Sequence, residues 1–203
     1  MCMKKATLII IVCCAAFAAA AQDTGKVAQL EWKVKMLEQR QAKFERQLQA
    51  GHTKKLAEKK IKEAHKHVAA ERAKFKAEDI ARAETLYHRA NRQSKPEIRN
   101  RLLDSVVILY PQLNRAGCAQ LYLAQRADSN DKREQLLKDC IDRFSECYYL
   151  DGAQVGPLAM LQLARLYNAT NREPLGQELI KRLRKEHRKA IGHDGRRLLE
   201  DVE

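Results

Sequence analysis

The chain has 203 residues, with 39 Lys+Arg against 26 Asp+Glu and a formal net charge of +13. Eight glycines, four prolines and 5% aromatics supply too little turn chemistry for a β-sandwich, and they argue against a nucleotide-loop α/β enzyme. A charged fraction of 32% beside 45% apolar suits long amphipathic helices rather than disorder.

The first segment reads as an export signal. Met1 to Lys5 is a short basic stretch, Ala6 to Ala20 is apolar, and Ala19, Ala20 and Ala21 offer small residues for cleavage near Ala21. An apolar run of about 15 residues falls short of the ~20 needed to span a bilayer. An uncleaved anchor is the alternative. A lipoprotein acylated at Cys13 or Cys14 fits less well, because Val12 stands where a small residue is needed. The mature chain is expected to be exported and periplasmic, carrying Cys118, Cys140 and Cys147. Cys140 and Cys147 lie about 10 Å apart if both sit on one helix, too far for a disulfide. A bridge from Cys118 to one of them, or three small buried hydrophobes, remain as the readings.

Residues 22–76 form a second segment, rich in Lys, Glu, Gln, Arg and Ala, with 15 Lys+Arg against 7 Asp+Glu. Val27, Leu30, Val34, Leu37, Gln41, Phe44 and Leu48 step by threes and fours, the seam of a coiled coil. Ala57, Ile61, Ala64, Val68, Glu71 and Phe75 repeat that spacing out of register. Between them, Gly51 could close one helix and Thr53 cap the next, giving a hairpin; otherwise one helix continues through. The surplus charge reads as a solvated helix surface. Attraction to an anionic wall or lipid surface is the alternative, and export disfavours nucleic acid.

From Ala77 to the last residue the apolar face widens, and helices start and stop in pairs. The first carries Ile80, Ala83, Leu86, Tyr87 and Ala90. Ser94 and Glu97 bracket Pro96 as a capping box for the second, which holds Leu102, Leu103, Val106, Val107 and Leu109 and stops before Pro111. A third includes Ala116, Cys118, Leu121, Tyr122 and Ala124. Asp131 and Glu134 are placed to cap a fourth with Leu137, Cys140, Ile141 and Phe144. Gly156 and Pro157 open a fifth, Asn171 to Pro174 separate it from a sixth, and His193, Asp194 and Gly195 start a short seventh from Arg196 to Val202. Nothing alternates with period two, so the fold class is all-α.

Pairs recurring about every 34 residues resemble tetratricopeptide repeats. Met160, Leu163, Ala164 and Tyr167 match the inward positions of a first helix, and Gly176, Ile180 and Leu183 those of a second. Leu123, Ala124, Leu137, Ile141 and Phe144 repeat the pattern more loosely, as do Leu86, Ala90, Leu103, Val106 and Pro111. The order of signal, coiled coil and repeats is similar to the periplasmic cell-division coordinator family linked to the Tol–Pal system. The resemblance implies an extended coiled-coil helix or helical hairpin, followed by a right-handed α-solenoid of about three helix pairs with a short capping helix. It also implies a non-catalytic scaffold that binds a protein partner of the cell envelope and oligomerises, or is spaced, through its coiled coil.

Groove-facing positions carried over from the repeat family are Ala81, Glu84, His88, Asn91 and Arg92; Cys118, Leu121, Gln125, Asp128 and Ser129; and Leu158, Leu161, Arg165, Asn168 and Ala169. Among them His88, Asn91, Arg92, Gln125, Arg165 and Asn168 are the candidate partner-binding residues, since amides and guanidinium groups pair with peptide backbone and carboxylates. No His-Glu-x-x-His, phosphate-binding glycine loop or Gly-x-Ser-x-Gly is present, so no catalytic residue, metal ligand or cofactor is assigned. Glu84 and His88 share a helix face and suit an ion pair better than a metal. A thiol enzyme built on the three cysteines is the least favoured reading, because no base partner stands out.

Overall fold

The computed structural model describes the backbone of residues 24–201 and the side chains of residues 31–43 and 50–200. The expected export signal, Val202, and the seam side chains Val27, Leu30, Phe44 and Leu48 lie outside the described residues. Among the described residues seven α-helices follow one another: α1 Thr24–Lys74, α2 Ala77–Asn91, α3 Pro96–Leu109, α4 Asn114–Gln125, α5 Asn130–Arg143, α6 Val155–Ala169 and α7 Glu173–Glu186. A 3₁₀ turn, Leu198–Asp201, comes last. No strand occurs among the described residues, and none of their helices is long and apolar enough to cross a membrane.

Contacts divide the chain after Gly51 into two units. In the first, the side chains of residues 31–43 are exposed throughout, including the seam residues Val34 and Leu37 and the large apolar Trp32 and Met36. Gly51 and Thr53 are both helical, so neither caps a helix end there.

In the second unit each helix from α2 to α7 packs on its neighbour in sequence, and α4 also touches α2 and α6. Ala83, Ala90, Ala116, Ala119, Ala124 and Ala164 are almost completely buried, and their small side chains let the helix backbones approach. Leu103, Val106, Leu121, Leu137, Met160 and Leu183 fill the space between. Gly176 is needed for the same reason, since a Cβ there would strike the Asn168 amide oxygen and lie 3.0 Å from the Ala164 carbonyl.

Three helix starts differ from expectation. Lys95, not Ser94, precedes α3 and makes no side-chain cap; Pro96 at the first position, with its φ already helical, serves instead. Ser129, not Asp131, caps α5, its hydroxyl accepting from the Lys132 N–H at 3.3 Å. His193, Asp194 and Gly195 do not start a helix; they form a tight turn, and only the 3₁₀ turn follows.

That turn copies an earlier one. In residues 148–154, a bridge joins Tyr148 to Gln154, the Tyr149 N–H donates to the Ala153 carbonyl at 2.8 Å, and the Gly152 N–H to the Tyr149 carbonyl at 3.0 Å. In residues 191–197, a bridge joins Ile191 to Arg197, the Gly192 N–H donates to the Arg196 carbonyl at 2.9 Å, and the Gly195 N–H to the Gly192 carbonyl at 3.0 Å. Asp151 and Asp194 each accept from the N–H two residues on, both at 3.0 Å. Gly152 and Gly195 have φ of 91° and 78°, where an L side chain is strained. His193 Nδ1 meets Asp151 Oδ2 at 2.7 Å and so ties the two turns together; that bond raises the imidazole pKa.

Both turns lie against the second half of α1. A Cβ on Gly152 would fall 2.8 Å from the Ile61 nitrogen, and one on Gly195 would fall 3.3 Å from the Ala57 Cβ. Asn114, at the start of α4, completes this join. Its carboxamide oxygen accepts from the Tyr148 N–H at 2.6 Å, its amide donates to the Tyr148 carbonyl at 2.8 Å, and its own N–H donates to Glu71 at 3.0 Å.

Asn114→Ala removes both Asn114 side-chain bonds to the Tyr148 backbone, leaving its carbonyl only the Cys118 thiol at 3.5 Å, and is expected to lower stability by about 2–4 kcal/mol in urea unfolding. Gly152→Ala should lose about 1–2 kcal/mol from its left-handed backbone alone. Gly51→Ala has open space around it and is expected to gain up to about 1 kcal/mol from helix propensity, read by the same circular dichroism titration.

Candidate binding face

Helices α2, α4 and α6 are the first members of the three pairs, and of their positions expected to face a groove, Ala81 is exposed and Glu84 half-buried in the first half of α2. Cys118 and Leu121 of α4 and Leu158 and Leu161 of α6 are buried. They are core, not groove, and two segments pack on these helices, one before α6 and one after α7. The Tyr149 hydroxyl donates to the Cys118 carbonyl at 3.3 Å, and the 3₁₀ turn Leu198–Asp201 packs on α6. Toward the ends of the same helices the expected positions are exposed: His88, Asn91 and Arg92 after α2's core residues, Gln125, Asp128 and Ser129 at α4, and Arg165, Asn168 and Ala169 at α6.

Within that exposed set the side chains differ in how they are held. His88 Nε2 is 3.4 Å from Glu84, the helix pairing its spacing suggests. Glu84 in turn accepts from Arg115 of α4 through Nε at 3.0 Å and Nη2 at 2.7 Å, a forked pair in which Arg115 is largely covered. Arg115 also stacks 4.7 Å above the Tyr87 ring. Burial pushes the Tyr87 hydroxyl up to about 12, against the opposing pull of Arg115 and a hydrogen bond from Asn91. Asn91 therefore reports on the same cluster as His88. Asn168 is turned onto Gly176 of α7, so part of its amide is engaged within its own helix pair. Arg92 and Gln125 stand exposed at the ends of α2 and α4.

A matching cluster holds the last two pairs together. Glu134 of α5 accepts from Lys138 at 2.7 Å, Arg172 at 2.8 Å and the Tyr167 hydroxyl at 3.1 Å. Arg172 lies 4.5 Å above the Tyr167 ring. Hydrogen bonds from Lys138, Arg172 and Tyr167 hold the Glu134 carboxyl down to about 2, against the upward push of burial. Arg126 over Tyr122 at 4.9 Å repeats the guanidinium-on-ring contact on α4. None of these arginine partners followed from sequence, since Glu84 and Arg115, like Glu134 and Arg172, lie on different helices.

The three cysteines among the described residues are free thiols. Cys118 and Cys140 are buried and Cys147 half-buried. Burial raises all three pKa values, that of Cys147 to about 12, so each is protonated at neutral pH and a poor nucleophile. No group of three or more His, Cys, Asp or Glu among the described residues is arranged to hold a metal. Along α1, Lys54, Lys55, Lys59 and Lys62 are exposed, whereas Lys60 is half-buried and bound to Glu63 at 2.6 Å.

No family model matches the chain, and no curated protein and no solved structure matches it.

Removing the Glu134 carboxylate tests the electrostatic part of this geometry. Its folded pKa is lowered from the model-compound value of 4.5 to about 2, so its contribution to stability is complete above pH 4.5 and disappears as pH falls toward 2. Glu134→Gln is expected to cost about 1–3 kcal/mol at pH 7, and the gap to the parent should narrow steadily in urea titrations between pH 4.5 and pH 2.

Proposed function

We propose that this chain is an exported, non-catalytic scaffold whose α2–α7 region is a right-handed tetratricopeptide-like solenoid. On this reading the exposed C-terminal turns of α2, α4 and α6 dock a protein partner of the cell envelope. The similarity of the sequence plan to the Tol–Pal-associated coordinator family points to the periplasm. One observation carries the proposal. At the ends of these three helices His88, Asn91, Arg92, Gln125, Arg165 and Asn168 are exposed to solvent, while Cys118 and Leu121 of α4 and Leu158 and Leu161 of α6 are buried. Amide and guanidinium groups on contacting helices suit an extended segment of peptide, which offers carbonyls and carboxylates at regular spacing. The protonated state of the buried thiols and the lack of a paired base support a binding role over a thiol-based reaction.

The exposed seam residues Val34 and Leu37 support self-association of the first unit, because a helix keeps such a stripe dry only by pairing it. A second reading, attachment to an anionic wall or lipid surface, is favoured by the exposed row Lys54, Lys55, Lys59 and Lys62. That attachment must weaken as salt rises, whereas docking at the ends of the first helices should depend on particular side chains.

A photo-crosslinking residue at Asn91 or Gln125 should capture one and the same envelope protein in the producing cell, and one at the exposed Gln177 of α7 should not. Equal capture from all three sites, or none from any, would refute the docking face. For self-association, sedimentation of the mature chain is expected to show an oligomer that Val34→Glu with Leu37→Glu converts to monomer.

A further inference from the structure

Between Lys60 of α1, the loop of residues 146–154 and the segment of residues 186–190 that closes α7 lies a cavity of about 290 Å³, at the lower end of the range that holds small ligands. It is remote in sequence from the ends of α2, α4 and α6. Tyr148 and Gln154 form one of the two bridged turns, and Tyr148 is clamped on both backbone groups by Asn114. Ala190, buried at the base, is fixed by its carbonyl accepting from Leu198 at 3.0 Å. The Gln154 amide donates to the Ser145 carbonyl at 3.0 Å, which leaves its own oxygen as a fixed acceptor in a residue only 8% exposed.

The charges around this cavity define what it would accept. Lys60, Lys189, Glu146 and Glu186 line it, two charges of each sign. Burial lowers the His187 pKa, so the imidazole adds no charge at neutral pH. Two of the four charges are already used: Lys60 holds Glu63 at 2.6 Å, and Glu186 accepts from Arg182 at 2.9 Å. Lys189 and Glu146 have no hydrogen bond or ion pair with any described residue, and both are exposed at the rim. A phosphate or other simple anion would meet the Glu146 carboxylate, and a simple cation would meet the Lys189 ammonium. A ligand carrying one charge of each sign satisfies both, with the Tyr148 hydroxyl and the Gln154 oxygen available to an amide between them.

We propose that this cavity binds a small zwitterion of the amino acid or short-peptide class, with its ammonium group at Glu146 and its carboxylate at Lys189. The site is independent of the docking face and does not rest on it.

The probe is the dipeptide Ala-Ala, titrated to about 10 mM into the full chain and followed by amide chemical shifts of Tyr148, Gln154 and Ala190. N-acetyl-Ala-Ala and Ala-Ala-amide each remove one charge and should bind about 10-fold more weakly. Glu146→Gln should abolish the difference between Ala-Ala and its N-acetyl form, and Lys189→Gln the difference between Ala-Ala and its amide. Both substituted residues are exposed, and unchanged shifts elsewhere will report intact folding. No shift at the three reporters, equal binding of free and capped forms, or discrimination that survives both substitutions would overturn the assignment.

Discussion

The carboxamide of Asn114 is the point at which three distant parts of the chain are made to meet. It reproduces a backbone pair for Tyr148, accepting and donating at 2.6 and 2.8 Å, while the Asn114 N–H reaches Glu71. Asn114 is buried and its partners half-buried, so losing these bonds carries a penalty comparable to the bonds themselves. Burial raises the Glu71 carboxyl pKa even though the Asn114 N–H pulls it down. With Tyr148 fixed, the first Asp-Gly turn is fixed, and through it the loop that carries Tyr149 onto Cys118 and the face of α1 that rests on Gly152.

This join explains why the second half of α1 belongs with the helical pairs. Ala64 is completely buried, and His67 stacks on Tyr148 at 5.4 Å between ring centres. The stripe Ala57, Ile61, Ala64, Val68 and Glu71, out of step with the stripe before Gly51, faces loops rather than another long helix. Its shift of register follows from that different surface: small residues sit where the turns come close, and a carboxylate sits where a backbone N–H awaits it.

The helices were legible in the sequence because apolar spacing of three and four and the placement of Pro96, Pro111, Pro157 and Pro174 mark their faces and ends. The turns were not, although Asp151-Gly152 and Asp194-Gly195 carry hairpin chemistry. Each turn is closed by a single bridged pair, too short for any alternation of period two, so His193 to Gly195 reads equally well as a helix start. The same blind spot moved Cys118, Leu121, Leu158 and Leu161 into an expected groove. Position within a repeat predicts which way a side chain points, but it says nothing of an inserted loop that covers it. Partners such as Arg115 for Glu84 were hidden for a different reason, since long-range ion pairs have no spacing signature.

On the proposed reading, recognition falls to exposed residues at the helix ends, whereas folding rests on the buried ones. The starts of α4 and α6 are held by backbone-like bonds and buried apolar contacts, which tolerate little change. The ends of α2 and α4 carry exposed residues such as Arg92 and Gln125, whose side chains contribute little to packing. Arg115 in the first turn of α4 and Arg172 just before α7 lie instead over the Tyr87 and Tyr167 rings. The proposed zwitterion cavity borders the loop before α6 and the segment that closes α7, so its geometry is inherited from the fold, whereas any specificity at the helix ends must come from the exposed residues themselves.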